Sequence, residues 1–477
     1  MTLRLHNTLT KELESFAAIN PDQVTIYSCG PTVYDNVHIG NLSAFIAADI
    51  LRRTVVANGY TVKHVMNFTD VDDKTIRRSS EKYPDMDALD ALRKLTTEYG
   101  DIFLDDMQTI GNDTNALTFI KAADDSTIDG MKQLISDLHT KGFAYIADDG
   151  VYFSIDAYKR SGKVYGQLVE LTDENTSSER IANDEYDKDS AHDFALWKTK
   201  KPGEPAWKFE LDGHDLAGRP GWHIECSVMS SSQLGQPFDI HTGGIDLTFP
   251  HHENEIAQST ALTTDATYAK IFVHNEHILV DGKKMSKSAH NFYTLRDLID
   301  KGIDPLAFRL LVLQSHYRHQ TQFSFDNIDA AHNRLKHWQA IAVLRHQTHD
   351  TLVDDDEKAI LLLAANQAIV EALNDDMNTP EALKVIDGAF GQLDGKSLQD
   401  IHQHGLNQLI DTIDQTLGIQ LKKSTPDIDD DLKQKVIERQ RARDEKDWAK
   451  SDELRNELLD AGIIVRDTAH GSIWEYK

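Results

Sequence analysis

From Val24 to Phe68 the chain reads VTIYSCGPTVYDNVHIGNLSAFIAADILRRTVVANGYTVKHVMNF, and this stretch decides the fold. Val24 to Ser28 is a short run of β-branched and aromatic residues, which predicts a buried strand. Leu42, Phe45, Ile46, Ile50 and Val56 recur at helical spacing and predict a helix. Asn58-Gly59 stops it, and Thr61 to Phe68 supplies a second strand. Strand, helix and strand at this spacing form a βαβ unit, hence a parallel sheet whose ligand crevice lies at the C-terminal ends of its strands. Cys29 and the loop through Asn41 open onto that crevice.

Beyond this unit, residues of roughly 85 to 145 alternate apolar and acidic positions at helical spacing, and the sheet is expected to resume near Gly150 to Ser154. Thr172 to Ser190, rich in Asp, Glu, Asn and Ser, is expected to be a mobile surface loop. Strand patterns return at Phe238–His241, Ile271–His274 and Ile278–Val280. After about Phe325 the pattern changes to amphipathic helices at Ile328–Leu344, Ala359–Asn374, Pro380–Leu393 and Leu406–Leu417, a helical bundle. Pro426 marks a linker. A helix rich in Lys and Arg from Leu432 to Leu459 follows, then a hairpin around Gly471. There is no internal repeat.

A chain of 477 residues exceeds one hydrophobic core, and 40% apolar with 27% charged residues describes a soluble protein. No apolar run approaches the roughly 20 residues of a spanning helix, and the N-terminus lacks a signal-like core, so a cytosolic location is expected. The formal net charge of −28 argues against a surface built for non-specific nucleic-acid binding and leaves a local basic face open. A reducing compartment favours free thiols or metal ligands over a disulfide between the two cysteines.

Those two cysteines sit in Tyr27-Ser28-Cys29-Gly30-Pro31 and Gly221-Trp222-His223-Ile224-Glu225-Cys226. His251 and Glu255, four apart, share one face of a helix. Should Cys29, Cys226, His251 and Glu255 converge, they make an S2NO zinc site, the two thiolates favouring zinc over magnesium or calcium. Ligands from distant segments at a sheet crevice suit a substrate-binding metal; a closed structural site is the competing reading. A hydrolase of the H-E-x-x-H kind fails, because Asn254-Glu255-Ile256 follows His252-Glu253. His38-Ile39-Gly40-Asn41 lies between strand and helix, where backbone N–H groups favour phosphate and Gly40 removes an obstructing side chain. Lys284-Met285-Ser286-Lys287-Ser288 offers two point charges able to reach a triphosphate; taken alone, it is a solvated basic loop.

Together these two motifs resemble the paired nucleotide signatures of class I aminoacyl-tRNA synthetases, usually written H-I-G-H and K-M-S-K-S. The resemblance sharpens to the cysteinyl-tRNA synthetase family through the segments from Cys29 to Asp35, Asn67 to Lys74, Gly221 to Ser227 and Gly243 to Glu255, and continues at Asp375 to Pro380 and Ser451 to Arg455. Two departures stand out: Asn41 replaces the usual His, and Ala289-His290-Asn291-Phe292 replaces Leu-Gly-Asn-Phe.

The resemblance implies an α/β protein with a Rossmann-like catalytic domain over 1–325, a helical anticodon-side domain over 326–424 and a tRNA-binding module over 425–477. It implies a monomer that joins L-cysteine to tRNA(Cys) at the expense of ATP. Zinc on Cys29, Cys226, His251 and Glu255 would hold the substrate thiolate, and magnesium would accompany ATP. Catalysis falls to His38, Asn41, Lys284 and Lys287; ATP binding adds Gly40, Asp246 and Ser286; Gly30, Thr69 and Trp222 line the amino-acid pocket. Lys433, Lys435, Arg439, Arg441, Arg443, Lys446 and Lys450 form a candidate basic face for tRNA, a solvated helix being the alternative. Two other readings are a mycothiol-type ligase joining cysteine to an amino sugar, and a synthetase-like binding protein without catalysis.

Overall fold

A computed structural model describes residues 2–170, 176–181, 191–264, 267–280, 282–285, 291–348 and 351–477, with backbone alone at 176–181, 191–192 and 284. It divides into two compact units, Thr2–Asp297 with Tyr317–Thr321, and Leu298–His316 with Gln322–Lys477. Among the described residues no helix is long and apolar enough to cross a membrane.

The first unit opens with a hairpin, β1 (Arg4–Asn7) and β2 (Glu12–Ser15), followed by β3 (Gln23–Ser28), α1 (Ile39–Ala57) and β4 (Thr61–Phe68). The predicted βαβ unit is present. Helix α1 starts three residues before the first periodic apolar position because His38 caps it, its side chain accepting the Asn41 N–H. Two helices, α2 (Asp73–Lys82) and α3 (Ala88–Thr109), lead to β5 (Leu117–Lys121), a strand hidden within the region expected to be helical. Five residues are too few for periodicity to separate strand from helix.

After α4 (Asp125–Thr140) comes an insertion: β6 (Ala144–Ala147), β7 (Gly150–Phe153), α5 (Ile155–Arg160), β8 (Thr176–Ile181), β9 (Ala191–Thr199), the short pair β10 (Glu210–Leu211) and β11 (His214–Asp215), and β12 (Gly218–Pro220). The expectation that Gly150–Ser154 rejoins the parallel sheet is corrected here. These residues belong to a separate sheet ordered β12-β9-β7-β6, antiparallel along that path, because a strand's own sequence does not name its partner. Within 172–190, β8 pairs parallel with β9; the rest of the expected loop lies outside the described residues. The insertion packs onto its neighbours in a shared core, where Phe153 and Phe194 stack at 5.1 Å and Trp197 is buried in one cluster with Ile128, Ile224 and Val228.

Then follow α6 (Trp222–Leu234), β13 (Phe238–Gly244), α7 (Glu253–Ala261), β14 (Ala269–Asn275) and the small antiparallel pair β15 (Ile278–Val280) and β16 (Lys283–Lys284). The main sheet is parallel throughout, ordered β14-β13-β3-β4-β5. His64 to Phe68 and Phe238 to Gly243 are buried without alternation, as expected for strands covered on both faces. From β3 the chain moves to β4 on one side, while β13 and β14 occupy the other. The order therefore reverses between β3 and β13, and a ligand crevice opens at that switch point.

In the second unit the helices Pro305–Leu313, Phe325–Ala342, Glu357–Asn374, Thr379–Gly391 and Gln403–Leu417 bury Leu335, Trp338, Ile369, Ile386, Phe390, Leu409 and Ile413. The predicted single basic helix is two helices, Asp430–Asp444 and Trp448–Asp460, broken where Lys446 takes a left-handed φ of 62°. They and the hairpin Ile463–Thr468/Gly471–Tyr476 close over Leu458, Ile463, Val465 and Trp474.

Candidate active site

At the switch point lies a cavity of about 740 Å³ whose walls include the ends of β3, β4 and β13 and the first turns of α1, α2 and α6. Cys29, Gly30, His38, Gly40, Asn41, Thr69, Trp222, Cys226, Asp246 and His251 all line it. Sequence separations of more than 200 residues are thus closed by the sheet order alone.

Cys29 follows β3, Cys226 lies one turn into α6, and His251 and Glu255 straddle the start of α7. Their four donor atoms all lie within 4.8 Å of one another. Cys29 Sγ is 3.8 Å from both Cys226 Sγ and Glu255 Oε1, and His251 Nε2 is 3.1 Å from Glu255 Oε1. The other carboxylate oxygen, Oε2, accepts from Tyr268 Oη at 2.9 Å and lies 2.9 Å from His241 Nε2, so Oε1 is turned toward the thiols. His251 is fixed likewise: Nδ1 is 2.9 Å from His223 Nδ1, and its ring stacks on Trp222 at 4.1 Å. Metal ligands are ordinarily oriented by such partners.

Burial governs the electrostatics. It lowers His251 and His223 to about 3, so both imidazoles are neutral, the form that ligates metals. It pushes Cys29 well above the usual thiol range, reinforced by the neighbouring Cys226 and Glu255, and it raises Cys226. For Glu255 burial also acts upward, but His241 and His251 outweigh it and hold the carboxyl below its ordinary value. A negative carboxylate, neutral imidazoles and two thiols with an energetic need for a cation to ionise make a donor set that fits zinc.

A second quartet, Cys29, His241, His252 and Glu255, also meets within 4.8 Å. Three members of the first quartet border the cavity, whereas His241, His252 and Glu255 do not, so only the first quartet puts a metal where a ligand can reach it. His241, His274 and Tyr268 escaped sequence reasoning; the one signal available was the recurrence of His in the buried strands β13 and β14.

Asn67 also went unassigned. Its Oδ1 accepts the Gly30 N–H at 2.9 Å and its Nδ2 donates to Thr69 Oγ1 at 3.2 Å, while Cys226 Sγ approaches Oδ1 at 3.8 Å. Gly30 has no room for a side chain, since an added Cβ would lie 1.7 Å from the Asn67 carbonyl oxygen. At Gly40 a Cβ would meet Met285 Cε at 2.6 Å and the His38 ring at 2.9 Å. His38 Nδ1 accepts the Asn41 N–H at 3.1 Å, and its ring packs edge-on against Phe292 at 5.1 Å. Asp246 stands at the cavity wall in the short helix Ile245–Leu247. Lys284 contributes its backbone to β16; its side chain, Ser286 and Lys287 lie outside the described residues.

The terminal helices treat their cations differently from the expectation of a basic face. Lys433 pairs with Asp427 at 2.6 Å, Lys435 with Glu457 at 2.7 Å and Lys450 with Glu453 at 2.9 Å. Arg439, buried, and Arg443 both hold Asp467, at 2.8 and 2.7 Å. Trp448 remains 57% exposed, with the Arg443 guanidinium 5.9 Å from its ring.

Residues 15–333 match the family model for the class I (C) tRNA synthetase catalytic domain, and residues 425–474 match the cysteinyl-tRNA ligase anticodon binding domain. A cysteine–tRNA ligase of Brachyspira hyodysenteriae is 39% identical over 99% of both chains. A cysteine–tRNA ligase of Leptospira interrogans is 39% identical over 100% of this chain and 99% of its own length. Among solved structures, Mycobacterium tuberculosis methionyl-tRNA synthetase in complex with methionyl-adenylate superposes with a TM-score of 0.59 at 13% identity, covering 85% of this chain and 91% of that one, a likeness of fold. A catalytic-domain match over two thirds of the sequence, with relatives of the same length, means that the chain belongs to the cysteinyl-tRNA synthetase family of class I.

Proposed function

We propose that the chain activates L-cysteine with ATP to cysteinyl-adenylate, releasing pyrophosphate, and passes the cysteinyl group to the 3′-terminal ribose of tRNA(Cys). The observation that carries this reading is the meeting of Cys29, Cys226 and His251 in the wall of one cavity with His38, Gly40 and Asn41. The side-chain pocket and the phosphate-binding turn thereby share one space.

The cysteine carboxylate attacks the α-phosphate, and catalysis is positioning plus electrostatics. Held at Nδ1 by the Asn41 N–H, His38 would offer Nε2 to a phosphate oxygen. Asn41 supplies amide donors without the charge of a second histidine. Lys284 and Lys287 would meet the leaving pyrophosphate with magnesium, and Ser286 and Asp246 would complete the nucleotide site. Gly30, whose missing side chain makes room for the Asn67 carbonyl, would present its backbone at the cavity wall to the substrate. Thr69, oriented by Asn67, would hold a polar end of the amino acid, and Trp222 would wall its side chain. Zinc held by Cys29, Cys226, His251 and Glu255 would supply a thiophilic Lewis acid, favouring a thiolate over the hydroxyl of serine and making a separate editing site unnecessary.

On the tRNA side, we assign residues 326–424 to the anticodon-side bundle and 425–477, which carries the match to the anticodon binding domain, to the terminal tRNA-binding module. There exposed Trp448 offers a stacking face, and Arg441 and Lys446 are cations not drawn into an ion pair among the described residues. The anticodon-domain likeness favours tRNA over an amino sugar as acceptor. With the family as the guide, we take it to be a monomeric enzyme of the cytoplasm. The test is cysteine-dependent exchange of labelled pyrophosphate into ATP, with serine and no-amino-acid controls, before and after chelation. Zinc-dependent exchange with cysteine alone, followed by charging of tRNA(Cys), is expected; no exchange from folded, zinc-loaded protein would overturn the reading.

A further inference from the structure

We propose that Tyr34, Lys74 and Arg77 form a binding edge at the active-site cavity for the single-stranded 3′ end of the nucleic-acid substrate. This inference rests on the tRNA reading above and adds the residues that would receive the acceptor end.

With a formal net charge of −28, a polyanion must find locally unneutralised cations to approach the cavity. Lys74 and Arg77 stand three residues apart on α2, hence on one face of it, and both line the cavity. Arg77 is exposed and Lys74 half-buried. Most nearby cations are committed: Arg78 reaches Glu81 at 3.8 Å, and Lys198 and Arg219 hold Asp73. Among the described residues Lys74 and Arg77 have no carboxylate within ion-pair distance. Four acids also line the cavity: Asp35, Asp72, Asp73 and Asp246. Asp72 accepts the N–H groups of Lys74 and Thr75, capping α2, and Asp73 is neutralised by Lys198 and Arg219.

The third member is aromatic. Tyr34 lines the cavity, half-buried, with the Lys74 ammonium 6.0 Å from its ring centroid. A ring with one cation at its face and a second on the same helix face is the combination that holds single strands: bases stack on the ring while phosphodiesters meet the charges. Sheet order separates the two cations from Asp246. Asp246 follows β13, on one side of β3, whereas Lys74 and Arg77 follow β4, on the other. A nucleic-acid end entering along β4 would reach the carboxyl carbon of the amino acid from the side opposite Asp246.

The experiment compares wild type with K74A/R77A, Y34A and the conservative K74R and Y34F. It reads pyrophosphate exchange without tRNA, charging of tRNA at several salt concentrations, and tRNA binding by fluorescence anisotropy. For K74A/R77A, exchange and the KM for ATP are expected within about twofold of wild type, while the KM for tRNA rises at least ~10-fold. The slope of log(kcat/KM) for tRNA against log salt should become shallower by roughly 1.4, two single-strand phosphate contacts at ~0.7 each. Y34A is expected to weaken tRNA binding about 10-fold, and Y34F and K74R to retain it. An unchanged tRNA KM and slope in folded K74A/R77A overturns the edge. A raised KM for ATP in exchange also overturns it, assigning the cations to the triphosphate. A wild type that binds tRNA without activating cysteine would instead sink the ligase reading, while loss of anisotropy binding in K74A/R77A would still support the edge.

Discussion

Two regions of this protein look alike as lists of residues and differ in three dimensions. The sheet crevice collects thiols, imidazoles and a carboxylate from segments up to 226 residues apart, and the terminal helices collect cations within about 20 residues of one another. In the crevice the buried donors face one another and orient one another, and burial keeps His251 and His223 neutral. In the terminal module most cations face nearby carboxylates, and one arginine is absorbed into the interior. Convergence from far along the chain is hard to obtain without purpose. Local charge density is readily consumed by neighbours, and only the cations left unpaired are available to a partner.

The sharpest way to break this contrast is to remove a donor. Cys226→Ser should abolish stoichiometric zinc binding in a chelator competition and lower cysteine-dependent exchange by more than ~100-fold, since even outer partners of a ligand are each worth 10–100-fold. A variant that keeps zinc and activity would show that the donors had converged to no purpose.

Next come the groups that orient Glu255. His241→Ala and Tyr268→Phe each remove one partner of Oε2 and should weaken zinc about 10–100-fold with the fold intact. Titration with a chromophoric chelator reads this directly, and zinc affinities equal to wild type would make these side chains mere filling.

Asp467 tests the other region. Hydrogen bonding from Arg439 leads in holding its carboxyl down at about 2, against 3.8 ordinarily, with Ser472 and Arg443 adding to it. A depressed folded pKa contributes stability above the unfolded value and loses it as pH falls through the folded one. Asp467→Asn should therefore destabilise the terminal hairpin by about 1 kcal/mol near neutrality, discounted for solvent screening, with the difference shrinking between about pH 4 and pH 2. Amide exchange of Ile463–Thr468 measures it; a pH-independent difference would remove the ion pairs from the explanation.

The smallest effect is expected from Lys433→Ala and Lys435→Ala. Their exposed pairs are worth at most ~1 kcal/mol each, and tRNA affinity should stay within about twofold. A large loss of tRNA binding would return these lysines to the nucleic-acid face and blur the contrast.

Much of the fold was legible because it rests on local periodicity. The apolar run of β3, the 3.6-residue spacing of α1 and the stop at Asn58-Gly59 announce the βαβ unit and thereby a crevice at Cys29. The long helices of the second unit declare themselves by the same spacing. Strand partners do not: β5 is too short to be distinguished, and β7 gives no sign that it pairs with β6 and β9 rather than with the main sheet. The single basic helix was a fair reading of composition, overturned by a backbone break at Lys446 that residue propensities leave unmarked.

For the site, the sequence by itself determined the donor types: two thiols, an imidazole and carboxylate on one helical face, a glycine in the phosphate turn and a lysine-rich loop. Chemistry resides in side chains, and side chains are written in the sequence. The tertiary structure alone decided which donors meet, that Tyr268 and His241 turn one oxygen of Glu255 toward the thiols, that Asn67 ties Gly30 to Thr69, and that Arg439 faces inward while Lys74 and Arg77 stay unpaired. These are matters of distance and burial. They arise from the order in which strands pair and from the exclusion of water, neither of which a residue carries in its own name.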